Sequence, residues 1–186
     1  NKNDISFFNS IKYLHLLKKT RSDLIIVEKK NINLLPKKKI FIEVGNVLLA
    51  VSKVTNLFYP EALEDCFDSS VKSLVKKNYV KLDAGLNILV GKNVKIGKNC
   101  SIGHNTIIEK NVIIGSNCSI GSNVIIRNTI IKDNVSILDG CVIGKKGFGF
   151  FPNQKSNIRY PHIGIVIIND NCEIGCGSTI DRGSLS

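Results

Sequence analysis

The chain has 186 residues, a formal net charge of +11 at pH 7 and 43% hydrophobic residues. This length favours one or two domains, and no apolar run approaches the ~20 residues that span a bilayer. Because neither a transmembrane segment nor a secretory signal is visible, the composition predicts a soluble, cytoplasmic protein.

The positive charge is dispersed along the chain. Many lysines occupy variable positions of a six-residue repeat, where we expect side chains to point outward: Lys92, Lys95, Lys98, Lys110 and Lys132. Such a charge fits either a solvated surface or attraction to an acidic carrier protein or polyanionic substrate. Few aromatic residues interleave with the lysines, which argues against nucleic acid as the partner.

Residues 1–60 predict a small α/β domain. Apolar and basic residues at helical spacing predict a helix from Ser10 to Lys19, with Ser10 as its N-cap. Two short β-rich runs follow: Leu24–Val27 and Ile40–Val44. The segment Asn46 to Phe58 then predicts an amphipathic helix that ends before Pro60. Residues 61–81 predict a helical connector with a lysine-rich end.

From about Leu82 a six-residue repeat organises the sequence. Aliphatic anchors recur every sixth residue, in three runs that are offset from one another: Val90, Ile96, Ile102, Ile108, Ile114, Ile120, Ile126, then Ile131, Ile137, Ile143, then Ile168, Ile174, Ile180. A period of six suits neither an α-helix nor a flat strand, and is typical of a solenoid whose short strands meet at regular corners. Residues 82–186 therefore predict a parallel β-helix with three hexads in each eighteen-residue coil.

The repeat makes specific packing predictions. Ile96 should stack beneath Ile114, and Cys100 beneath Cys118, with neighbouring coils about 4.8 Å apart. The glycine that follows most anchors is expected at a turn with positive φ. Four cysteines fall at the small interior position, two residues before an anchor: Cys100, Cys118, Cys141 and Cys172. They predict reduced, space-filling thiols, and the absence of a C-x-x-C pair gives little support to a zinc or redox site.

The repeat is interrupted at residues 145–164 by Gly147-Phe148-Gly149-Phe150 and a polar, proline-containing stretch. We expect this insertion to leave the solenoid as a loop, and long excursions from a rigid scaffold usually serve a site.

Three segments together resemble one family: "ISFFNSIKY" near the N-terminus, "VIGKKGFGF" at the insertion and "TIDRG" from Thr179 to Gly183. They resemble the UDP-3-O-acylglucosamine N-acyltransferases of the lipid A pathway, over nearly the whole chain. The resemblance implies a left-handed parallel β-helix, an exception to the usual right-handed crossover. It also implies a homotrimer with active sites between subunits, and transfer of a 3-hydroxyacyl group from acyl carrier protein to the 2-amine of a UDP-3-O-acylglucosamine, without a metal or other cofactor.

The resemblance assigns the uracil site to the N-terminal domain. It implies that Phe7 and Tyr13 hold the base between their rings, since a base presents a flat π-face for stacking. This chain has Ser10 and Ile11 where the family has an Asn-Pro pair. A serine hydroxyl can hydrogen-bond a uracil carbonyl, but it lacks the two-sided pattern of an amide. The alternative is that both rings are ordinary core residues.

The catalytic base of the resembled family is a histidine, whose pKa lies near neutrality. Counting from Asp181, this histidine is expected beyond Ser186. Because the chain also begins with Asn1 and contains no methionine, we expect a piece of a longer protein, incomplete at both ends. None of the three histidines present is assigned as the base: His15 and His104 are expected at the surface, and His162 either at the surface or near the site.

Six further residues are expected near the acyl site: Gly147, Phe148, Gly149, Phe150, Asp181 and Arg182. Phe148 and Phe150 either wall an acyl groove or cover a small core of the loop itself. Asp181 and Arg182 either form an ion pair or orient site residues across the trimer.

Three other functions compete with N-acyl transfer. A sugar-nucleotide acetyltransferase would use the same solenoid with acetyl-CoA. A metal solenoid of the carbonic anhydrase type needs three converging histidines, and no two histidines here have the expected close spacing. An inactive structural or interaction solenoid is the remaining alternative.

Overall fold

The computed structural model describes residues 2–64, 66–152 and 157–185. It divides into two compact units: Asn1–Leu63 with Phe150–Tyr160, and Glu64–Gly149 with Pro161–Ser186. Residues 153–156 of the insertion and Ser186 of the predicted solenoid lie outside the described residues.

The first unit contains a parallel sheet in which β2 (Leu24–Glu28) lies between β1 (Ile5–Phe8) and β3 (Ile40–Val44). The central strand buries three consecutive apolar residues, Ile25–Val27, because neighbouring elements cover it on both sides. The edge strand β3 is exposed over most of its length. The two predicted β-rich runs are thus confirmed as strands.

The helices of this unit begin where the sequence supplies caps. A 3-10 turn at Ile11–Tyr13 leads into α1 (Leu14–Lys19), and Ser10 accepts a hydrogen bond from the Lys12 amide at 3.4 Å. In α2 (Val47–Phe58), the Asn46 side chain accepts a hydrogen bond from the Leu49 amide at 2.9 Å. The second helix is as predicted. The helix predicted from Ser10 to Lys19 starts instead with a 3-10 turn.

Two short strands from the insertion complete the first unit. They are β16 (Phe150–Phe151) and β17 (Ile158–Arg159), which pair in antiparallel fashion. The ring of Phe151 packs edge-on against that of Tyr160, with centroids 5.4 Å apart.

The helical connector predicted for residues 61–81 is wrong. The described part of this stretch contains 3-10 turns at Pro60–Ala62 and Lys76–Asn78, and the strand β4 (Lys72–Ser73). Its polar groups bond to the solenoid: the Asp68 carboxylate accepts from the Lys110 amide at 2.7 Å, and the Leu74 amide donates to the Ile88 carbonyl at 2.9 Å. These bonds to distant residues replace the local ones that a helix would need.

In the described part of the second unit, successive strands belong in turn to three sheets. The first contains β7 (Lys95–Ile96), β10 (Ile113–Ile114), β13 (Thr129–Ile131) and β18 (Val166–Ile168). The second contains β5 (Asp83–Ala84), β8 (Ser101–Ile102), β11 (Ser119–Ile120), β14 (Ser136–Ile137) and β19 (Glu173–Ile174). The third contains β6 (Leu89–Val90), β9 (Ile107–Ile108), β12 (Ile125–Ile126), β15 (Val142–Lys146) and β20 (Thr179–Arg182), with β4 antiparallel at its end.

This arrangement is a parallel β-helix, and its register follows the predicted repeat. Ile114 pairs with Ile96 on one side and with Ile131 on the other. The offset between the first and second runs of anchors therefore makes the coil before Ile131 one residue shorter. Ile131 in turn pairs with Ile168, and the insertion lies between the two. Ile108, Ile126 and Ile143 are completely buried, which confirms the anchors as the core of the solenoid.

Except at Gly144, the glycines that follow the anchors play a different part from the one predicted. Positive φ values occur at the asparagines two residues later, for example 57° at Asn99 and 58° at Asn117. Asparagine tolerates this left-handed conformation, and the Asn99 amide donates to Asn117 at 3.1 Å. Gly97 is needed for close approach: a Cβ there would lie 2.5 Å from the carbonyl carbon of Gly115 in the next coil.

Three of the four cysteines predicted at the interior position are buried, and the fourth, Cys172, is half-buried. Cys100, Cys118 and Cys141 are buried free thiols. Cys118 donates to the Lys132 carbonyl at 3.1 Å, and burial raises the pKa of its thiol. Such thiols fill the corners of the coils and are poor nucleophiles.

Candidate functional site

The uracil-site candidates lie on β1 and the turn that follows it. Phe7 is on the exposed side of β1, with 38% of its surface accessible, while the next residue, Phe8, is buried. Tyr13 ends the 3-10 turn and is 45% exposed, with the Lys12 ammonium 5.9 Å from its ring centroid. Both rings therefore lie outside the core of this unit, which is formed around Phe8 and β2.

The insertion leaves the solenoid from β15, beside β20. The register between these strands shifts after Ile143, so that Lys145 pairs with Asp181, and Lys146 with Arg182. The shift centres on Gly144, which has a φ of 79° and whose Cβ would overlap a backbone carbonyl of the preceding coil. Glycine is therefore required at the point where the chain departs from the repeat.

Just beyond this bulge, three residues that are distant in sequence come together. A Cβ on Gly147 would lie 3.1 Å from the His162 Nε2 atom and 3.4 Å from the Asp181 Oδ2 atom. His162 is half-buried and Asp181 is exposed. The structure thus places two of the predicted site residues, Gly147 and Asp181, around the one histidine whose position the sequence left open.

Asp181 and Arg182 do not form the ion pair considered from the sequence. They are neighbours on β20, and within the described residues no ion pair joins them, since successive strand side chains point to opposite faces. Arg182 is half-buried near Arg127. Burial and the charge of Arg127 lower the pKa of its guanidinium.

The aromatic residues of the Gly-Phe-Gly-Phe segment are accessible. Phe148 is 83% exposed and Phe150 is 41% exposed, whereas Gly149 is half-buried. Such exposure is incompatible with Phe148 as a core residue of the loop. Phe151, the residue after the predicted pair, is the one that packs on Tyr160.

A row of charged residues on the third sheet was not predicted from the sequence. Glu109 follows β9, Arg127 follows β12, and Lys145 lies within β15. Each is eighteen residues from the next in the sequence. Arg127 Nη2 donates to Glu109 Oε1 at 2.9 Å, and their side chains are only 19% and 16% exposed. Burial raises the pKa of Glu109, although the charge of Arg127 opposes this. For Glu109 and Arg127 the coil spacing was the available signal, because Ile108 pairs with Ile126 and the residues that follow them stack.

The remaining histidines are at the surface. His104 Nδ1 accepts a hydrogen bond from the Leu86 amide at 2.9 Å, and His15 is exposed on α1. Among residues 2–64, 66–152 and 157–185, no cluster of three or more His, Cys, Asp or Glu side chains is placed to hold a metal ion. None of the helices in those same ranges is long and apolar enough to cross a membrane.

Comparison with known proteins gives two kinds of similarity. A family model described as the GMPPB C-terminal domain matches residues 85–147, which cover most of the repeat. Proteins named UDP-3-O-acylglucosamine N-acyltransferase match nearly all of the chain. Those from Helicobacter pylori strains HPAG1 and J99 / ATCC 700824 are 37% identical over 188 residues and 39% identical over 182 residues.

Both alignments cover 97% of this chain and 53% of the relative, so the chain spans about half the length of the curated relatives it matches. The fold and the repeat define a hexapeptide-repeat solenoid protein of the parallel β-helix class. More particularly, the chain is a partial homologue of the UDP-3-O-acylglucosamine N-acyltransferases.

Proposed function

We propose that this chain is the uridine-binding and β-helical part of an N-acyltransferase. It would act in the transfer of a 3-hydroxyacyl group from acyl carrier protein to the 2-amine of a UDP-3-O-acylglucosamine, in lipid A biosynthesis. The observation that carries the proposal is the identity of 36 to 39% to relatives named for this acylglucosamine, across 97% of the chain. The shorter match to the GMPPB C-terminal domain reflects the repeat alone.

In this proposal the uracil base lies between Phe7 and Tyr13. Two exposed aromatic rings close together in sequence suit a flat base, because stacking on each ring contributes about 1–3 kcal/mol. Ser10 lies between them, and its hydroxyl already accepts a hydrogen bond from the Lys12 amide. The hydroxyl hydrogen can then be donated to a uracil carbonyl.

Acyl transfer breaks the thioester carbon–sulfur bond of the donor and forms an amide bond to the sugar amine. A base must take the proton of the attacking amine, and the thiol of the carrier leaves. We assign the base to a histidine beyond Ser186, and not to His15, His104 or His162. The exposed rings of Phe148 and Phe150 are suited to wall a groove for the acyl chain.

The proposal extends to handedness, assembly and location. The solenoid would be left-handed, the protein a homotrimer with sites between subunits, and the reaction cytoplasmic. An acidic acyl carrier protein suits the exposed lysines of the solenoid, among them Lys92, Lys95 and Lys98. Asp181 and Arg182 would orient site residues across the subunit boundary.

Uridine recognition is tested by calorimetric titration of the chain with UDP. We expect saturable binding that weakens about tenfold in Phe7→Ala and in Tyr13→Ala, because each removes one stacking surface. Tyr59→Ala is the matched control, since Tyr59 is a 54% exposed tyrosine of the same unit. Equal affinity in all four proteins would remove both rings from the site.

The donor is tested on the protein encoded by the whole reading frame that contains this chain. We expect it to form the amide with 3-hydroxyacyl carrier protein and to leave acetyl-CoA unused. Transfer from acetyl-CoA at a similar kcat/KM would instead support the sugar-nucleotide acetyltransferase alternative.

A further inference from the structure

The stretch that begins with β20 holds both ends of the insertion at residues 145–164. β15 pairs with β20 where the insertion begins. Where the insertion ends, the Ile163 amide donates a hydrogen bond to the Ser184 carbonyl at 2.8 Å. The Gly164 amide donates in the same way to the Gly183 carbonyl at 2.9 Å. The two ends of the insertion are therefore fixed to one stretch of backbone.

Asn128, in the preceding coil, also bonds to both ends. Its side-chain amide donates to the Gly144 carbonyl at 3.1 Å, and its own carbonyl accepts from the Val166 amide at 2.9 Å. Asn128 has a φ of 48°, a left-handed conformation that asparagine tolerates. The base of the insertion is thus hydrogen-bonded to the coils on both sides of it, and we expect it to be rigid.

His162, near the end of the insertion, lies against Gly147, near its beginning. A Cβ on Gly147 would lie 3.1 Å from the His162 Nε2 atom and 3.4 Å from the Asp181 Oδ2 atom. Gly147 is not among the glycines with positive φ, so its lack of a side chain serves this close packing rather than an unusual backbone conformation. The imidazole, with Asp181 beside it, therefore rests directly on the backbone at the start of the insertion.

The residue that follows this packed glycine is Phe148, whose side chain is 83% exposed. Phe148 stands between two glycines, Gly147 and Gly149, which by themselves allow the backbone a wide range of conformations. The direction of the exposed ring therefore depends on what restrains its neighbours. His162 supplies such a restraint, because it packs on Gly147.

We propose that His162 is a positioning residue that acts through Gly147 to fix the ring of Phe148 at the wall of the acyl groove, a role that rests on the acyl transfer proposed above. A fixed ring can contact the distal carbons of a long acyl chain without first losing its own conformational freedom. His162 therefore contributes to binding of the acyl donor and leaves the chemical step to other groups.

The test is steady-state kinetics of the protein encoded by the whole reading frame, with 3-hydroxytetradecanoyl and 3-hydroxybutanoyl carrier protein as long and short donors. We expect His162→Ala to raise the KM of the long donor about tenfold and to change kcat less than about threefold, because only binding is affected. The KM of the short donor, which does not reach Phe148, should stay at the parent value. His162→Gln, which keeps a planar side chain with an N–H donor, should restore the parent KM.

A double-mutant cycle tests whether His162 acts through Phe148. Phe148→Ala should raise the KM of the long donor as His162→Ala does, and the double variant should lose no more than Phe148→Ala alone. His15→Ala is the matched control, since His15 is an exposed histidine on α1. Additive losses in the double variant, or an equal rise in KM for both donors, would overturn the positioning role.

Hydrogen exchange of this chain decides the packing independently of activity. We expect the amides of residues 147–149 to exchange at least fivefold faster in His162→Ala than in the parent, while those of β9 and β10 stay unchanged. If His162→Ala does not fold, Gly147→Ala takes its place, because its Cβ displaces the imidazole. Unchanged exchange at residues 147–149 would refute the restraint. Failure of the parent to use either donor would refute the acyl transfer alone.

Discussion

Adjacent isoleucines on β10 offer a direct measure of what the repeat contributes to stability. Ile114 is 2% exposed and faces the interior, while Ile113 is 38% exposed and faces outward. Ile114→Ala removes three buried carbons, worth about 2.4 kcal/mol at ~0.8 kcal/mol each. The cavity left between the coils of Ile96 and Ile131 adds to this, so we expect a loss of about 3–4 kcal/mol in the free energy of unfolding.

The matched variant is Ile113→Ala. Its removed carbons are partly solvated already and leave no enclosed cavity, so we expect a loss below about 1.5 kcal/mol. Urea unfolding followed by circular dichroism measures both values, with the slope of each transition compared to establish that the same surface is exposed. Equal losses in the two variants would refute the inward orientation of the anchors.

Two further perturbations test the turns and the charged row. Gly97→Ala should destabilise the protein by more than about 2 kcal/mol, because its Cβ would lie 2.5 Å from the Gly115 carbonyl carbon; a melting temperature equal to the parent's would contradict the close approach. Folding raises the pKa of Glu109 above its ordinary 4.5. The contribution of Glu109 to the free energy of unfolding is therefore fully present at low pH and is lost as the pH rises through the raised pKa. Urea midpoints measured from about pH 4 to pH 7 should therefore fall less with pH in Glu109→Gln than in the parent; parallel curves would show that Glu109 titrates normally.

The elements of the first unit were largely predictable because their signals are local. The amphipathic spacing of apolar residues identified α2, and the structure adds that Asn46 caps it. The connector at 61–81 was mispredicted for the opposite reason. Its lysine-rich, apolar pattern suits a helix, but Asp68 and Leu74 bond to residues far along the chain. Such bonds leave no mark in the local pattern.

In the candidate site, too, some features were predictable from the sequence and others depended on contacts between distant residues. The sequence identified Gly147 and Asp181 through a resemblance, and left His162 undecided. Their proximity depends on the bulge at Gly144, which re-aims the chain as the insertion begins. The pair Glu109 and Arg127 was overlooked, because only the lysines at variable positions were considered as a charged surface.

The sequence alone determined the solenoid, since an aliphatic residue at every sixth position can be buried only if short strands turn at regular corners. It could not determine which outward-facing residues meet. That depends on how each coil stacks on the next, and the stacking changes where one coil is shortened before Ile131 and where the insertion precedes Ile168. Only the tertiary structure therefore placed Glu109 against Arg127 and His162 beside Gly147, because those encounters are set by register between coils.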